Sequence, residues 1–158
     1  MSELFNDAFT KFKGMALLTA GTPDDFNTMT IGWGAVGTIW GMDACTVYVR
    51  ISRYTLEFMD KYDTFTVSFF DGYKKELGYL GSHSGRDGNK VAEVGFTPVA
   101  VGDSVTFKEA EKTLVCRKMY KQLMDEGAIP ADVKERFYSG ADDGNLHYMF
   151  IGEVTDVQ

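Results

Sequence analysis

The spacing of apolar and polar residues along this chain predicts many short strands and a few short helices. Residues 15–21 (MALLTAG) form a continuous apolar run that ends at a glycine, the pattern of a buried strand. Residues 26–33 alternate. Asn27, Met29, Ile31 and Trp33 fall on one face, and Phe26, Thr28, Thr30 and Gly32 on the other. Residues 45–50, 65–70, 96–101, 105–108, 113–119 and 146–154 also read as strands; residues 120–126 either extend the strand before them or turn helical. Helical spacing appears over residues 3–13, with Ser2 as cap and Leu4, Phe5, Ala8, Phe9 and Phe12 as the apolar stripe. It recurs after Thr55 with Ser52 or Thr55 as cap, over residues 71–80 with Asp71 as cap, at the turn 91–95, and from Pro130 to about Ser139. Strands and helices do not alternate regularly, and no GxGxxG follows a first strand. The expected fold is mainly β with helical insertions, an antiparallel barrel in one domain over residues 1–158.

Within that pattern, residues 26–55 read as two strands joined by a glycine-rich bend. Gly34, Gly37 and Gly41 mark either a close ligand approach or a sharply bent barrel corner. The following turn carries Arg50, Ser52, Arg53 and Thr55 within six positions. Guanidinium forks, hydroxyls and backbone N–H groups at a strand-to-helix junction are what an anionic phosphate needs. The most polar stretch, residues 81–90, holds Ser82, Ser84, Gly85, Arg86, Asp87 and Lys90, and makes a natural second wall for the same anion.

Charge and composition narrow the function classes. The 158 residues carry 16 Lys and Arg against 23 Asp and Glu, a net charge of -7, so any basic feature is local and nucleic acid is not the expected partner. Aromatics at 14% suit both strands and a planar ligand. Cys45 and Cys116, 71 positions apart, have no metal-ligand spacing and read as two free, packed thiols; no metal is expected. The N-terminal residues lack a signal-peptide pattern and no apolar run is long enough for a membrane span, so no membrane partner and a cytoplasmic location are expected.

Four stretches together resemble the flavin reductase-like family with the FMN-binding split barrel, in its flavoredoxin-type branch. They are Phe26-Asn27-Thr28-Met29-Thr30-Ile31-Gly32-Trp33-Gly34 with Trp40-Gly41; Val49-Arg50-Ile51-Ser52-Arg53-Tyr54-Thr55 with Glu57-Phe58; residues 80–90 (LGSHSGRDGNK); and residues 147–154 (HYMFIGEV). The likeness spans nearly the whole chain in order. Ile51 stands where the family pattern has Pro, and Gly32 where it has Ser.

This resemblance implies an FMN-binding homodimer. Asn27, Thr28, Met29, Thr30, Ile31, Gly32 and Trp33 would line the isoalloxazine edge. Arg50, Ser52, Arg53, Tyr54 and Thr55 would hold the phosphate, and Ser84, Arg86, Asp87 and Lys90 would close over the ribityl chain and phosphate. His147 would lie where a nicotinamide stacks and is the one catalytic candidate; a buried, hydrogen-bonded structural role is its plainer reading. The implied activity is transfer of electrons from NAD(P)H through FMN to a free flavin or other small acceptor. An FMN-binding electron carrier reduced by a protein partner, and a ligand-binding barrel without catalysis, are the alternatives.

Overall fold

The structure is a computed structural model that describes the backbone of residues 2–158 and side chains from Asp7 onward. The cap expected of Ser2 and the packing of Leu4 and Phe5 lie outside the described residues. Among the described residues, nine strands and five α-helices follow one another: α1 (Ser2–Lys13), β1 (Ala16–Thr22), β2 (Asp25–Ile31), β3 (Gly34–Ile39), β4 (Met42–Arg50), α2 (Thr55–Lys61), β5 (Thr64–Phe69), α3 (Lys74–Ser82), α4 (Lys90–Val94), β6 (Pro98–Val101), β7 (Ser104–Phe107), β8 (Lys112–Leu123), α5 (Ala131–Phe137) and β9 (His147–Val157). Seven strands form one antiparallel sheet in the order β2-β1-β5-β8-β9-β4-β3, and β6 and β7 form a separate hairpin. None of the described helices is long and apolar enough to cross a membrane.

Burial follows the alternation in sequence. One face of the curved sheet closes on Leu18, Met29, Cys45, Val47, Val49, Phe65, Val67, Cys116 and Phe150. Both faces of β1 are covered, because Leu17 points the other way into a second core with Leu77, Leu80, Val91, Phe96 and Phe107. This explains the unbroken apolar run of that strand. The two cysteines are free and buried, and the hydrogen bond between them, with burial, raises the Cys116 thiol above its ordinary value.

The curvature has an identifiable source. The β8–β9 ladder shifts register between Val115 and Cys116 and again between Lys118 and Tyr120, and such bulges bend a strand and increase its twist. Gly152 of β9 sits inside this bend, paired with Cys45 of β4. A Cβ there would stand 2.6 Å from the Phe65 ring and 2.8 Å from Cys116 Cβ. The absent side chain lets the sheet fold across itself.

Several local expectations are corrected. The glycine-rich bend is itself an edge strand, β3, joined to β4 by a two-residue turn in which Trp40 (φ 53°) and Gly41 (φ 73°) are both left-handed, the hairpin geometry that matches strand twist. The strand before it ends at Ile31, so Gly32 and Trp33 form the link. Neither Ser52 nor Thr55 caps α2: Tyr54 occupies the cap without a side-chain bond, and both hydroxyls bond elsewhere. Asp71 does not cap α3, because Gly72 and Tyr73 take left-handed conformations and delay the helix to Lys74. Residues 120–123 continue β8.

Candidate functional site

Each of the two polar segments is fixed by bonds to the other parts of the fold. Arg50 ends β4. Its guanidinium donates to Asn145 O at 2.8 Å and Phe137 O at 3.1 Å, lies over the Tyr138 ring, and stands 4.0 Å from the Asp142 carboxylate. Arg53, three residues on, donates to Gly81 O at the end of α3 (3.1 Å). The turn therefore ties α5 to one side and α3 to the other. Ser52 Oγ accepts from Asn145 Nδ2 at 2.9 Å.

Asn27 of β2 holds the two polar segments together from below. Its Nδ2 donates to Thr55 Oγ1 at 2.8 Å, and its Oδ1 packs so closely under Gly85 that any Cβ at position 85 would overlap it. Gly85 opens a 3₁₀ turn, Gly85–Asp87, braced by Ser84 Oγ accepting from Arg86 N. Only glycine at this position lets the loop come down onto the strand.

Between the segments lies a cavity of about 540 Å³, lined by Asn27, Met29, Arg50, Ser52, Arg53, Tyr54, Thr55, Ser82, His83, Ser84, Gly85, Arg86, Lys90, Asp142 and Asn145. A smaller cavity of about 230 Å³ shares Met29, Arg50 and Arg53 with it and continues along Thr30, Ile31, Gly32, Trp33, Tyr48 and His147. A cation-lined cavity and a smaller slot bordered by Trp33, Ile31 and Tyr48 thus adjoin across two arginines.

Charge in the larger cavity is strongly one-sided. Four cations line it, Arg50, Arg53, Arg86 and Lys90, against the single carboxylate of Asp142. Lys90 is buried, and its Nζ donates to Leu80 O and His83 O, both at 2.9 Å, with no carboxylate partner among the described residues. Burial first, and the Arg53 charge second, lower its pKa from 10.5 to about 8. A buried cation held only by carbonyls beside another cation is costly to the fold. A bound anion would relieve that cost.

His147 is buried, and its Nδ1 shares a 2.6 Å hydrogen bond with Tyr138 OH. Its ring lies 5.1 Å from that of Trp33. Burial, then Arg50 and Arg53, lower its pKa to about 4, so the imidazole is neutral at neutral pH. The bond to Tyr138 and the burial agree with the structural reading. Nε2 has no protein partner among the described residues and is not sealed from solvent.

Most of the expected residues converge here, but not all. Thr28 is buried on the far side of β2, bonded to Thr19 Oγ1 and Leu18 O, and lines neither of these cavities. Asp87 also lines neither, since the 3₁₀ turn carries it away from the opening. Thr30 borders the slot while its hydroxyl donates to Leu77 O of α3 at 2.5 Å. Asn145 and Asp142 line the cavity without having been candidates. They enter through the connection between α5 and β9, which is remote in sequence, and no local motif marks them. Ser82 and His83 line it too, from the polar stretch 81–90 that forms its second wall.

The donor set fits a flavin mononucleotide. Asn145 Oδ1 is the one enclosed side-chain polar atom without a partner among the described residues, and it belongs to a residue that lines this cavity. The cations suit a phosphate, this acceptor a polyol, and the slot beside Trp33 a flat ring.

No family model and no curated protein matches the sequence. Solved structures do resemble the fold. Flavoredoxin from Methanosarcina acetivorans is 23% identical, with a TM-score of 0.68 over 91% of this chain and 67% of its own. An FMN-binding domain of a flavin reductases-like enzyme from Shewanella baltica is 18% identical, with a TM-score of 0.65 over 95% and 73%. A split-barrel protein from Shewanella frigidimarina is 14% identical, with a TM-score of 0.67 over 90% and 65%. The chain has the split-barrel fold of the flavoredoxin and flavin reductase-like proteins.

Proposed function

We propose that this protein binds FMN between the turn after β4 and the loop after α3, and works as an oxidoreductase that moves electrons from NAD(P)H through the flavin to a free flavin or other small acceptor. The observation that carries this reading is Lys90, a buried cation with carbonyl partners only, set among three arginines in a chain of net charge -7. Arg53, Arg86 and Lys90 supply the phosphate with charge, and Ser52 and Ser84 supply hydroxyls. Asn145, whose Oδ1 has no partner among the described residues, lines the same cavity and orients Ser52 through its Nδ2.

When bound, FMN would supply the hydride and electron-transfer chemistry between a reduced nicotinamide and an acceptor. The chain's own residues orient and screen. Trp33, Gly32 and Ile31 wall the slot, and Arg50 and Arg53 stand at its junction with the larger cavity. There they stabilise negative charge that develops on a ring near them. His147 stays neutral and holds its place through Tyr138, with Nε2 available as a hydrogen-bond partner. A homodimer is the proposed assembly, supported by the exposed Trp33, Val36 and Trp40 along and beside the edge strand β3.

Anaerobic mixing of FMN-loaded protein with NADH or NADPH tests the activity. Prompt bleaching of the flavin is the expected result. A flavin that stays oxidised with both nucleotides would contradict the reductase reading and favour a carrier reduced by a protein partner.

A further inference from the structure

Tyr138 directly follows α5 and is buried, with the Arg50 guanidinium 5.1 Å from the centre of its ring. The same guanidinium donates to Phe137 O and Asn145 O, which pins the connection between α5 and β9 around this ring. The Tyr138 hydroxyl has two neighbours, His147 Nδ1 at 2.6 Å and Met124 Sδ at 3.6 Å. His147 in turn borders the slot together with Trp33, Arg50 and Arg53. Its Nε2 has no protein partner among the described residues.

A neutral imidazole carries one proton, on Nδ1 or on Nε2, and the bond made by one nitrogen decides the state of the other. With the proton on Nδ1, that N–H would donate to the Tyr138 oxygen, and the phenol proton would be left with a distant thioether, a weak acceptor. With the proton on Nε2, the phenol donates at short range to a bare ring nitrogen, a much better acceptor. The Arg50 charge over the ring strengthens the phenol as a donor and favours this second arrangement.

We propose that Tyr138 is a positioning residue that holds His147 in the tautomer with the proton on Nε2, so that Nε2–H is a fixed donor at the slot and the ligand seated there presents a carbonyl oxygen to it. The inference rests on the flavin reading of this site and adds the hydrogen-bonding class of the group that meets His147. Two carbonyls qualify, one at the pyrimidine end of the flavin and one on the nicotinamide carboxamide. The hydrocarbon edge of a flavin would leave Nε2–H unpaired.

Long-range proton–nitrogen NMR spectra of the isotope-labelled, flavin-free protein at neutral pH read the tautomer. The chain has two histidines, and His83→Gln removes the other set of signals. The wild type is expected to carry the His147 proton on Nε2. Tyr138→Phe, which keeps the ring beside Arg50 and removes the hydroxyl, is expected to mix the two tautomers. A wild-type proton on Nδ1, or an unchanged tautomer in Tyr138→Phe, would overturn the proposal, and the wild-type spectrum decides even if the variant does not fold. Tyr138→Phe is also expected to weaken one ligand about three- to tenfold, the worth of one hydrogen bond. Weaker FMN binding would assign the carbonyl to the flavin, and a raised KM for NADH and NADPH at unchanged FMN affinity would assign it to the nicotinamide. No change in either would overturn the carbonyl assignment. Failure of FMN to bind the wild type would overturn the flavin site, while the tautomer of the flavin-free protein tests Tyr138 by itself.

Discussion

Lys90→Met is expected to weaken FMN binding by about 10- to 100-fold, because a hydrogen bond to a charged group contributes about 1.5–3 kcal/mol. Methionine keeps most of the lysine's length and removes the charge. Riboflavin, which has no phosphate, should be much less affected. The pH dependence gives a second signature. Lys90 in the free protein titrates near pH 8, below its ordinary 10.5. A bound phosphate favours the charged form and raises this value, so FMN affinity in the wild type should fall as pH rises above about 8. A phosphomonoester gains its second charge near pH 6. Affinity should therefore peak between about pH 6 and pH 8 and decline on the alkaline side. Lys90→Met should lose the alkaline decline that Lys90 causes. The sign is opposite for folding. The unfolded chain holds the Lys90 proton up to about pH 10.5 and the folded chain only up to about 8, so the burial cost is fully present below pH 8 and stability from this group rises between those values. Equal FMN affinity in both proteins, measured by flavin fluorescence at pH 7, would rule out Lys90 as a phosphate ligand.

Gly152→Ala is expected to destabilise the fold by about 1–3 kcal/mol, the usual cost of overfilling a packed core. In a chain of this length that lowers Tm by roughly 2–10 °C. The new Cβ would meet the Phe65 ring at 2.6 Å and Cys116 Cβ at 2.8 Å. The Phe65 ring is fully buried in the core, and Cys116 Cβ is fixed to the backbone of β8. β9 cannot shift to make room either, since β4 and β8 pair with it on both sides. FMN affinity should be unchanged, because Gly152 lines neither of the two proposed flavin cavities. An unaltered melting temperature in differential scanning calorimetry would mean that the sheet is less tightly folded across β9 than described.

Much of this fold is legible along the sequence, because most strands bury one face and alternate. Cys45, Val47 and Val49 alternate toward one core, and Leu17 and Leu18 mark a strand covered on both sides. What escapes the pattern depends on geometry rather than hydropathy. The segment after Trp33 is mostly exposed and glycine-rich, so nothing in its periodicity distinguishes an edge strand from a bend. The start of α3 moved because Gly72 and Tyr73 adopt left-handed turns that Asp71 could not reach across. At the site, the basic turn and the serine-glycine loop were readable as residue types. That they wall one site was also readable, and the cavity between them has both as its lining; Asn27 as the contact beneath Gly85 could not be read. Asn145 was invisible for a similar reason: its importance lies in an unbonded oxygen, which only the packing around it reveals.

The central claim is that the cations between the two polar segments grip the phosphate of a flavin. Parallel fluorescence titrations of the purified protein with FMN and riboflavin test it most directly. The account predicts saturable FMN binding, with riboflavin weaker by about 100-fold or more, since two or more charge-assisted hydrogen bonds are lost with the phosphate. Absence of FMN binding, or equal affinity for the two flavins, would contradict it.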